Sequence, residues 1–148
     1  MNRDWARSLL SRHEGRIPHA YQDSLGYWTI GVGHLVDKRR GGKLPEHIID
    51  ALLDYDIDEA WKTLVHHQPW VLELDDVRQH VMLDMAFNLG PEPFDNDGFK
   101  DWPMFLRQVR EGRYADAAAN MRATLWAKQV KTRAVRLAAM METGQWPG

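Results

Sequence analysis

Two carboxylates stand near the start of the chain, within the segment HEGRIPHAYQDSLGYWTIGVGH at residues 13–34. Glu14 ends a helical pattern, and Asp23 follows nine positions later in turn-like sequence. Cleaving a glycosidic bond requires one carboxyl group that stays protonated for the leaving oxygen, and a second that stays ionised to assist water or stabilise the oxocarbenium-like centre. Two acids in unlike environments can divide these roles, so this segment is the candidate active site.

The elements that carry the two acids are a helix and a hairpin. Residues 3–13 predict a short amphipathic helix that presents Glu14 at its C-terminal end. Residues 16–36 combine β-branched and aromatic residues with glycines, a composition that favours a hairpin. Because the helix dipole disfavours a carboxylate at a C-terminus, we expect partial burial of Glu14 or a cation close to it.

The remainder of the chain has helical periodicity. The clearest pattern covers residues 46–67, and a further helix with Asp75 as its N-cap runs towards Gly90-Pro91. Residues 91–102 are rich in turn-forming residues and predict a surface loop. Shorter helices are predicted at about 103–111, 114–123 and 133–142.

These elements predict an α+β, mostly helical fold that forms a single domain over residues 1–148. A small N-terminal lobe (14–45) contains a short antiparallel hairpin or sheet, and a long connecting helix (46–67) follows it. Residues 68–148, together with the N-terminal helix 1–13, form a helical lobe.

Composition excludes several kinds of protein. The chain contains no cysteine, so neither disulfides nor thiolate metal sites contribute. Its N-terminus has no apolar run of signal-peptide or membrane-anchor length, and we expect it to accumulate in the cytoplasm. His66-His67 and His80 lack the spacing of a metal site, so we expect neither a metal nor another cofactor.

Charge is distributed unevenly although the net charge is only -2. Residues 46–76 hold nine acids and one lysine, whereas residues 107–136 hold eight bases and two acids. The basic segment 107–136 could adhere to an anionic cell-wall surface, or its charges could simply solvate the outer faces of helices. It contains no nucleic-acid-binding motif, so we expect no nucleic-acid partner.

The segment around the two acids resembles the active-site signature of the T-even-phage type of lysozyme, the phage endolysins of glycoside hydrolase family 24. Matching residues are Glu14-Gly15, Tyr21, Asp23 and the run GYWTIGVGH at 26–34. A second resemblance lies near the C-terminus, where W-x-x-Q-x-x-x-R-A-x-R begins at Trp126 and is followed by TGQW at 143–146.

The resemblance implies a lysozyme-like fold and a muramidase that hydrolyses the β-1,4 link between N-acetylmuramic acid and N-acetylglucosamine in bacterial peptidoglycan. It implies that Glu14 protonates the leaving oxygen, that Asp23 assists the attacking water and that Thr29 helps to hold that water. Family enzymes are regarded as inverting, which requires the two carboxyl groups to lie roughly 6.5–9.5 Å apart.

The resemblance also assigns roles outside the signature. It implies that Leu35, Phe87 and Asn120 line the saccharide site, and that Arg133 approaches Glu14 across the cleft. A close arginine would lower the pKa of that carboxyl group whereas burial would raise it, so the two influences oppose one another.

His34 and Asp56 form a predicted pair. Asp56 follows Leu52 by four positions and Leu53 by three, so we expect it to point inward, where a carboxylate requires a partner. His34 ends the hairpin and could supply that partner, which would join the small lobe to the long helix. The alternative is that each side chain meets backbone groups or water.

Two other functions remain open. A lytic transglycosylase needs one acid and no water, and the presence of Asp23 and Thr29 argues against it. A non-catalytic wall-binding or structural module of a phage particle would require none of these residues. We expect a monomer without stable membrane insertion, which waits in the host cytoplasm until a separate holin-like pore admits it to the cell wall.

Overall fold

The computed structural model describes residues 2–22, 28–31, 34–35, 44–89 and 102–147. The side chains at positions 5, 13, 14, 19, 28 and 34 lie outside that description. Within it, the chain is mostly helical and has one small antiparallel sheet near the N-terminus, as the sequence predicts.

The N-terminal elements are helix α1 (Arg3–Glu14) and a sheet of strand order β1-β2-β3. Helix α1 ends where Gly15 adopts φ +76, a left-handed conformation that glycine reaches without a Cβ penalty. The Gly15 N–H donates to the carbonyl of Ser11 at 3.0 Å. The strands are β1 (Ile17–Gln22), β2 (Trp28–Gly31) and β3 (His34–Leu35).

The remaining described elements are helical. They are α2 (Glu46–His67), a short 3₁₀ helix (Pro69–Glu73), α3 (Asp76–Leu89), α4 (Pro103–Arg110), α5 (Tyr114–Arg122), α6 (Leu125–Val130) and α7 (Thr132–Thr143). The predicted bounds are confirmed to within one or two residues for α2 to α5 and for α7. The predicted loop at 91–102 falls almost wholly outside the described residues.

Helix α6 is the element that the sequence prediction missed. It lies between the helices predicted at about 114–123 and 133–142, where the sequence analysis predicted no helix. Thr124 is its N-cap, and the Thr124 hydroxyl accepts a hydrogen bond from the Ala127 N–H at 3.2 Å. Six residues give less than two turns of periodicity, which is too short a window for an apolar pattern to be recognised.

The chain divides into two compact units, Met1–Leu52 and Leu53–Gly148. The division falls inside α2, the helix predicted to connect two lobes. The predicted grouping of residues 1–13 with the helical lobe stays a prediction. No helix in the described ranges is long and apolar enough to cross a lipid bilayer.

The second unit has a continuous hydrophobic core. Phe105 of α4, Met121 of α5 and Met141 of α7 are fully buried in it. The Trp102 ring makes edge contacts with Phe105 and Trp126, at centroid distances of 5.4 and 5.8 Å. Such aromatic pairs add to the free energy gained by burying apolar area.

Arg78 joins three helices of this unit. Its Nε donates to the carbonyl of Met141 at 2.8 Å and its NH2 group to the carbonyl of Glu142 at 3.1 Å, at the end of α7. Its NH1 group donates to Asp75 at 2.8 Å, and the guanidinium lies 3.5 Å from the centre of the Tyr114 ring. The contacts of Arg78 therefore hold the start of α3 and the start of α5 at the end of α7.

The C-terminal end of α7 depends on a glycine. Gly144 adopts φ +67 and its N–H donates to the carbonyl of Met140 at 2.9 Å. A Cβ atom at Gly144 would lie 2.7 Å from NH1 of Arg78. Glycine is thus favoured by the backbone conformation, and any larger residue would displace the end of the Arg78 side chain.

Candidate active site

The sheet places two signature residues, Tyr21 and Thr29, in one row with Leu35. Thr29 of the central strand β2 lies opposite Tyr21 of β1 and opposite Leu35 of β3. Residues directly opposite one another in antiparallel strands have their side chains on the same face of the sheet. Thr29 is buried, with 5% of its surface exposed, whereas Leu35 is 39% exposed. A buried threonine thus lies on the same face of the sheet as an exposed apolar side chain.

The two acids are placed only in part. Glu14 is the last residue of α1, where the sequence predicts it, and Gly15 turns the chain directly after it. The Glu14 side chain and the whole of Asp23 lie outside the described residues. Their separation and their catalytic roles therefore stay predictions.

Phe87 and Arg133 lie together in the second unit, in a groove of about 440 Å³ between α3 and α7. Phe87 is 40% exposed there, so its ring is open to a ligand. The groove, hereafter the α3–α7 groove, is also lined by Asp84, Arg136 and Trp146. Aromatic and apolar faces beside a few charged groups are typical of a saccharide or small-molecule site.

Asp84 is a site residue that the sequence analysis missed. Nε of Arg133 donates to its carboxylate at 2.7 Å, and the NH2 group of Arg133 lies 3.4 Å from its carbonyl oxygen. Both side chains are 38% exposed. The predicted approach of Arg133 to Glu14 stays a prediction. Within the described residues, NH1 of Arg133 has no partner and could bind another acceptor.

Asn120 is paired with another residue that the sequence analysis did not single out. Its Nδ2 donates to Oε1 of Gln108 at 3.2 Å. Gln108 lies on α4 and has only 7% of its surface exposed. The sequence did contain a sign of this pairing, because Gln108 lies on the same helical face as the buried Phe105. A polar residue within an apolar stripe requires a hydrogen-bond partner.

The predicted pair of His34 and Asp56 is not tested. Asp56 is exposed on α2, where we expected an inward carboxylate, and the His34 side chain lies outside the described residues. In the described ranges, no three His, Asp or Glu side chains form a group that could hold a metal ion.

Comparison with known proteins decides the family. The sequence profile of the family named phage lysozyme matches residues 11–141, which include both the acid-bearing segment and the C-terminal motif. The chain belongs to the phage lysozyme family. Membership supports a lysozyme-like function, that of a glycosidase whose substrate is peptidoglycan.

Individual relatives agree at modest identity. The chain is 26% identical to "Probable T4-type lysozyme 1" of Dictyostelium discoideum, over 93% of this chain and 94% of that protein. It is 26% identical to "Endolysin" of Acyrthosiphon pisum secondary endosymbiont phage 1, over 75% of this chain and 70% of that protein. It is also 25% identical to the pre-baseplate central spike protein of Enterobacteria phage T4, over 92% of this chain and 27% of the spike protein.

Proposed function

We propose that this phage lysozyme family member hydrolyses the β-1,4 link between N-acetylmuramic acid and N-acetylglucosamine, with Glu14 as the acid. Asp23 assists the attacking water, and Thr29 helps to hold it. The observation that carries the proposal is the family match over residues 11–141, which spans the two acids and the C-terminal motif. The burial of Thr29 in the sheet supports the assigned role, because a side chain that is already ordered loses little conformational freedom when it positions a water.

The ion pair between Asp84 and Arg133 suggests how Glu14 could stay protonated although an arginine is expected near it. In this proposal Arg133 approaches Glu14, as the resemblance implies. An unpaired arginine there would favour the ionised carboxylate, whereas a general acid has to remain protonated. Asp84 offsets the charge of Arg133, so the arginine can orient Glu14 without fully ionising it.

The reaction is tested by mass spectrometry of the fragments released from purified peptidoglycan. We expect the wild type to release fragments with reducing muramic-acid ends and Glu14→Gln to release none, a loss of at least about 100-fold that is typical of removing a general acid. Glu59→Gln, at an exposed position on α2, is the matched control and should act as the wild type does.

Other products would replace the proposal. Fragments with anhydro ends would identify a lytic transglycosylase and remove the role of Asp23. Peptidoglycan binding without any released fragment, equal in the wild type and in Glu14→Gln, would identify a wall-binding module.

The biological role we propose is lysis of a bacterial host, with release from the cytoplasm through a separate holin-like pore. Cells that express the chain should then lyse only after a membrane pore is opened. Similarity to a central spike protein favours one alternative setting, a component of a phage particle. Recovery of the chain from purified phage particles, rather than from the cytoplasm before lysis, would favour that alternative.

Wall adherence through the basic segment is a further part of the proposal. Among the described residues, Arg107 and Arg110 of α4 have no acidic partner, whereas Arg113 contacts Asp116 at 2.8 Å and Glu111 at 3.6 Å. Hydrogen bonding to Asp116 and the charges of the two acids raise the pKa of Arg113 above its ordinary value. Arg107 and Arg110 are therefore two cations of α4 that are available to an anionic wall.

Neutralising the two free arginines tests this adherence. We expect Arg107→Gln with Arg110→Gln to weaken binding to purified cell walls and to flatten its dependence on salt concentration. Arg113→Gln, as the control, should have a smaller effect. Unchanged wall binding of the double variant over a salt series would show that these charges only solvate the helix surface.

A further inference from the structure

Gln108 is an amide placed where apolar side chains surround it. Phe105 and Val109, on the same face of α4, are fully buried, and Gln108 itself is only 7% exposed. A buried amide that is left without hydrogen bonds costs free energy, so its partners are informative. The side chain of Gln108 is hydrogen-bonded to that of Asn120 on the neighbouring helix α5.

A hydrogen bond joins one polar atom of each amide. Nδ2 of Asn120 donates and Oε1 of Gln108 accepts, at 3.2 Å. The other two polar atoms, Nε2 of Gln108 and Oδ1 of Asn120, have no partner within the described residues. Both atoms are accessible at the surface. Among the described residues, the one fully buried side-chain nitrogen or oxygen that lacks a hydrogen bond is Nδ1 of His67. The pair thus presents one donor and one acceptor to a ligand.

We propose that Gln108 and Asn120 together bind a secondary amide of the substrate, and that Gln108 determines this specificity. A secondary amide carries one N–H donor and one carbonyl acceptor, which match Oδ1 of Asn120 and Nε2 of Gln108 respectively. The inference rests on the proposed function, since peptidoglycan supplies such amides. They occur as the N-acetyl groups of both sugars and as the peptide bonds of the stem peptides.

Binding measurements by titration calorimetry test the proposal without requiring hydrolysis. The probes are tri-N-acetylchitotriose, its fully deacetylated counterpart, and glycan strands with and without their stem peptides. The variants are Gln108→Met, which keeps the side-chain length and removes the amide, and Gln108→Glu, which keeps the acceptor for Asn120 and removes the outward donor. Gln79→Met is the control, because it loses hydrogen bonds to the carbonyls of Leu72 and Leu74 elsewhere in the unit.

We expect both Gln108 variants to weaken binding of an amide-bearing probe by roughly tenfold, the effect of one or two hydrogen bonds. If the loss occurs with the acetylated trisaccharide and disappears with the deacetylated one, the sugar N-acetyl group is the ligand. If it occurs only with strands that carry stem peptides, a peptide bond is the ligand. Gln79→Met should lower the melting temperature and leave every dissociation constant unchanged.

A purely structural role of Gln108 would give a different result. Equal affinities of the wild type and Gln108→Glu for all four probes, or equal losses with acetylated and deacetylated probes, would overturn the proposal. Gln108→Glu keeps the hydrogen bond to Asn120, so the test remains decisive if Gln108→Met fails to fold. Amide-dependent binding without any hydrolysis would overturn the proposed reaction and leave this inference intact.

Discussion

The two compact units differ in what holds them together. In the described part of the chain, the buried hydrophobic side chains all lie in Leu53–Gly148, whereas the buried side chain of Met1–Leu52 is that of Thr29. The second unit thus gains free energy from a continuous apolar core, and the first presents a small sheet and the acid-bearing segment. The comparison teaches that the apolar core and the segment with the two proposed catalytic acids lie in different parts of the sequence, so substitutions can separate their contributions.

Truncating a core methionine should produce the largest loss of stability. Met121 is fully buried on α5, whereas Met104 on α4 is 63% exposed. We expect Met121→Ala to lower the free energy of unfolding by about 2–5 kcal/mol, because it leaves a cavity, and Met104→Ala to change it by less than about 0.5 kcal/mol. Denaturant titration followed by circular dichroism measures both. Equal losses for the two variants would show that the apolar core does not stabilise the second unit more than its exposed side chains do.

Adding a methyl group at Gly144 should have the next largest effect. Gly144 and Gly112 both have positive φ, +67 and +75, but only at Gly144 does a new Cβ meet another atom, NH1 of Arg78 at 2.7 Å. We expect Gly112→Ala to cost about 1 kcal/mol for the backbone alone and Gly144→Ala about 1–3 kcal/mol. Thermal melting would compare the two, and a smaller cost at Gly144 would show that the contacts of Arg78 contribute little.

The pH dependence of stability should show the smallest effect. Partial burial tends to raise the pKa of Asp75, but the hydrogen bonds and charge of Arg78 outweigh it, so the folded pKa lies below the ordinary value of 3.8. A depressed folded pKa means that Asp75 contributes stability above pH 3.8, and that this contribution is lost as the pH falls through the folded pKa.

Asp75→Asn isolates this contribution. The difference in melting temperature between the wild type and Asp75→Asn should shrink between about pH 5 and pH 2. In an Arg78→Met background the same difference should depend less on pH, because the guanidinium is absent and only backbone N–H groups, including that of residue 78, still lower the pKa of Asp75. Hydrogen exchange would sharpen the comparison of the units, since acid should loosen amides of α3 and α7 before those of the sheet.

Much of the fold follows from local sequence. Prolines and glycines mark where α2 and α3 begin or end, and the apolar residues of both helices recur at helical spacing. The predicted bounds therefore agree with the structure. Asp75 is recognisable as an N-cap, and its carboxylate accepts from the Arg78 N–H at 3.0 Å. Helix α6 was missed because six residues give too little periodicity, although Thr124 marked its start.

The candidate site was less predictable, because its polar contacts join different helices and leave no pattern within either one. Arg133 could be named from its motif, but its partner Asp84 lies 49 positions away and has no local pattern that indicates the pairing. Asn120 could be named in the same way, whereas its amide is hydrogen-bonded to Gln108 of another helix. The carboxyl groups of Glu14 and Asp23 rest on the signature alone.

The contacts of Arg78 also bear on the order in which the chain folds. Arg78 and Met141 are separated by 63 positions, whereas α4, α5, α6 and α7 follow one another closely along the chain. Closing a long loop costs chain entropy before its contacts are gained, so we expect α4–α7 to assemble first and α3 to join them late. Contacts formed after the transition state mainly slow unfolding. Arg78 should therefore govern how long the folded protein persists rather than how quickly it forms.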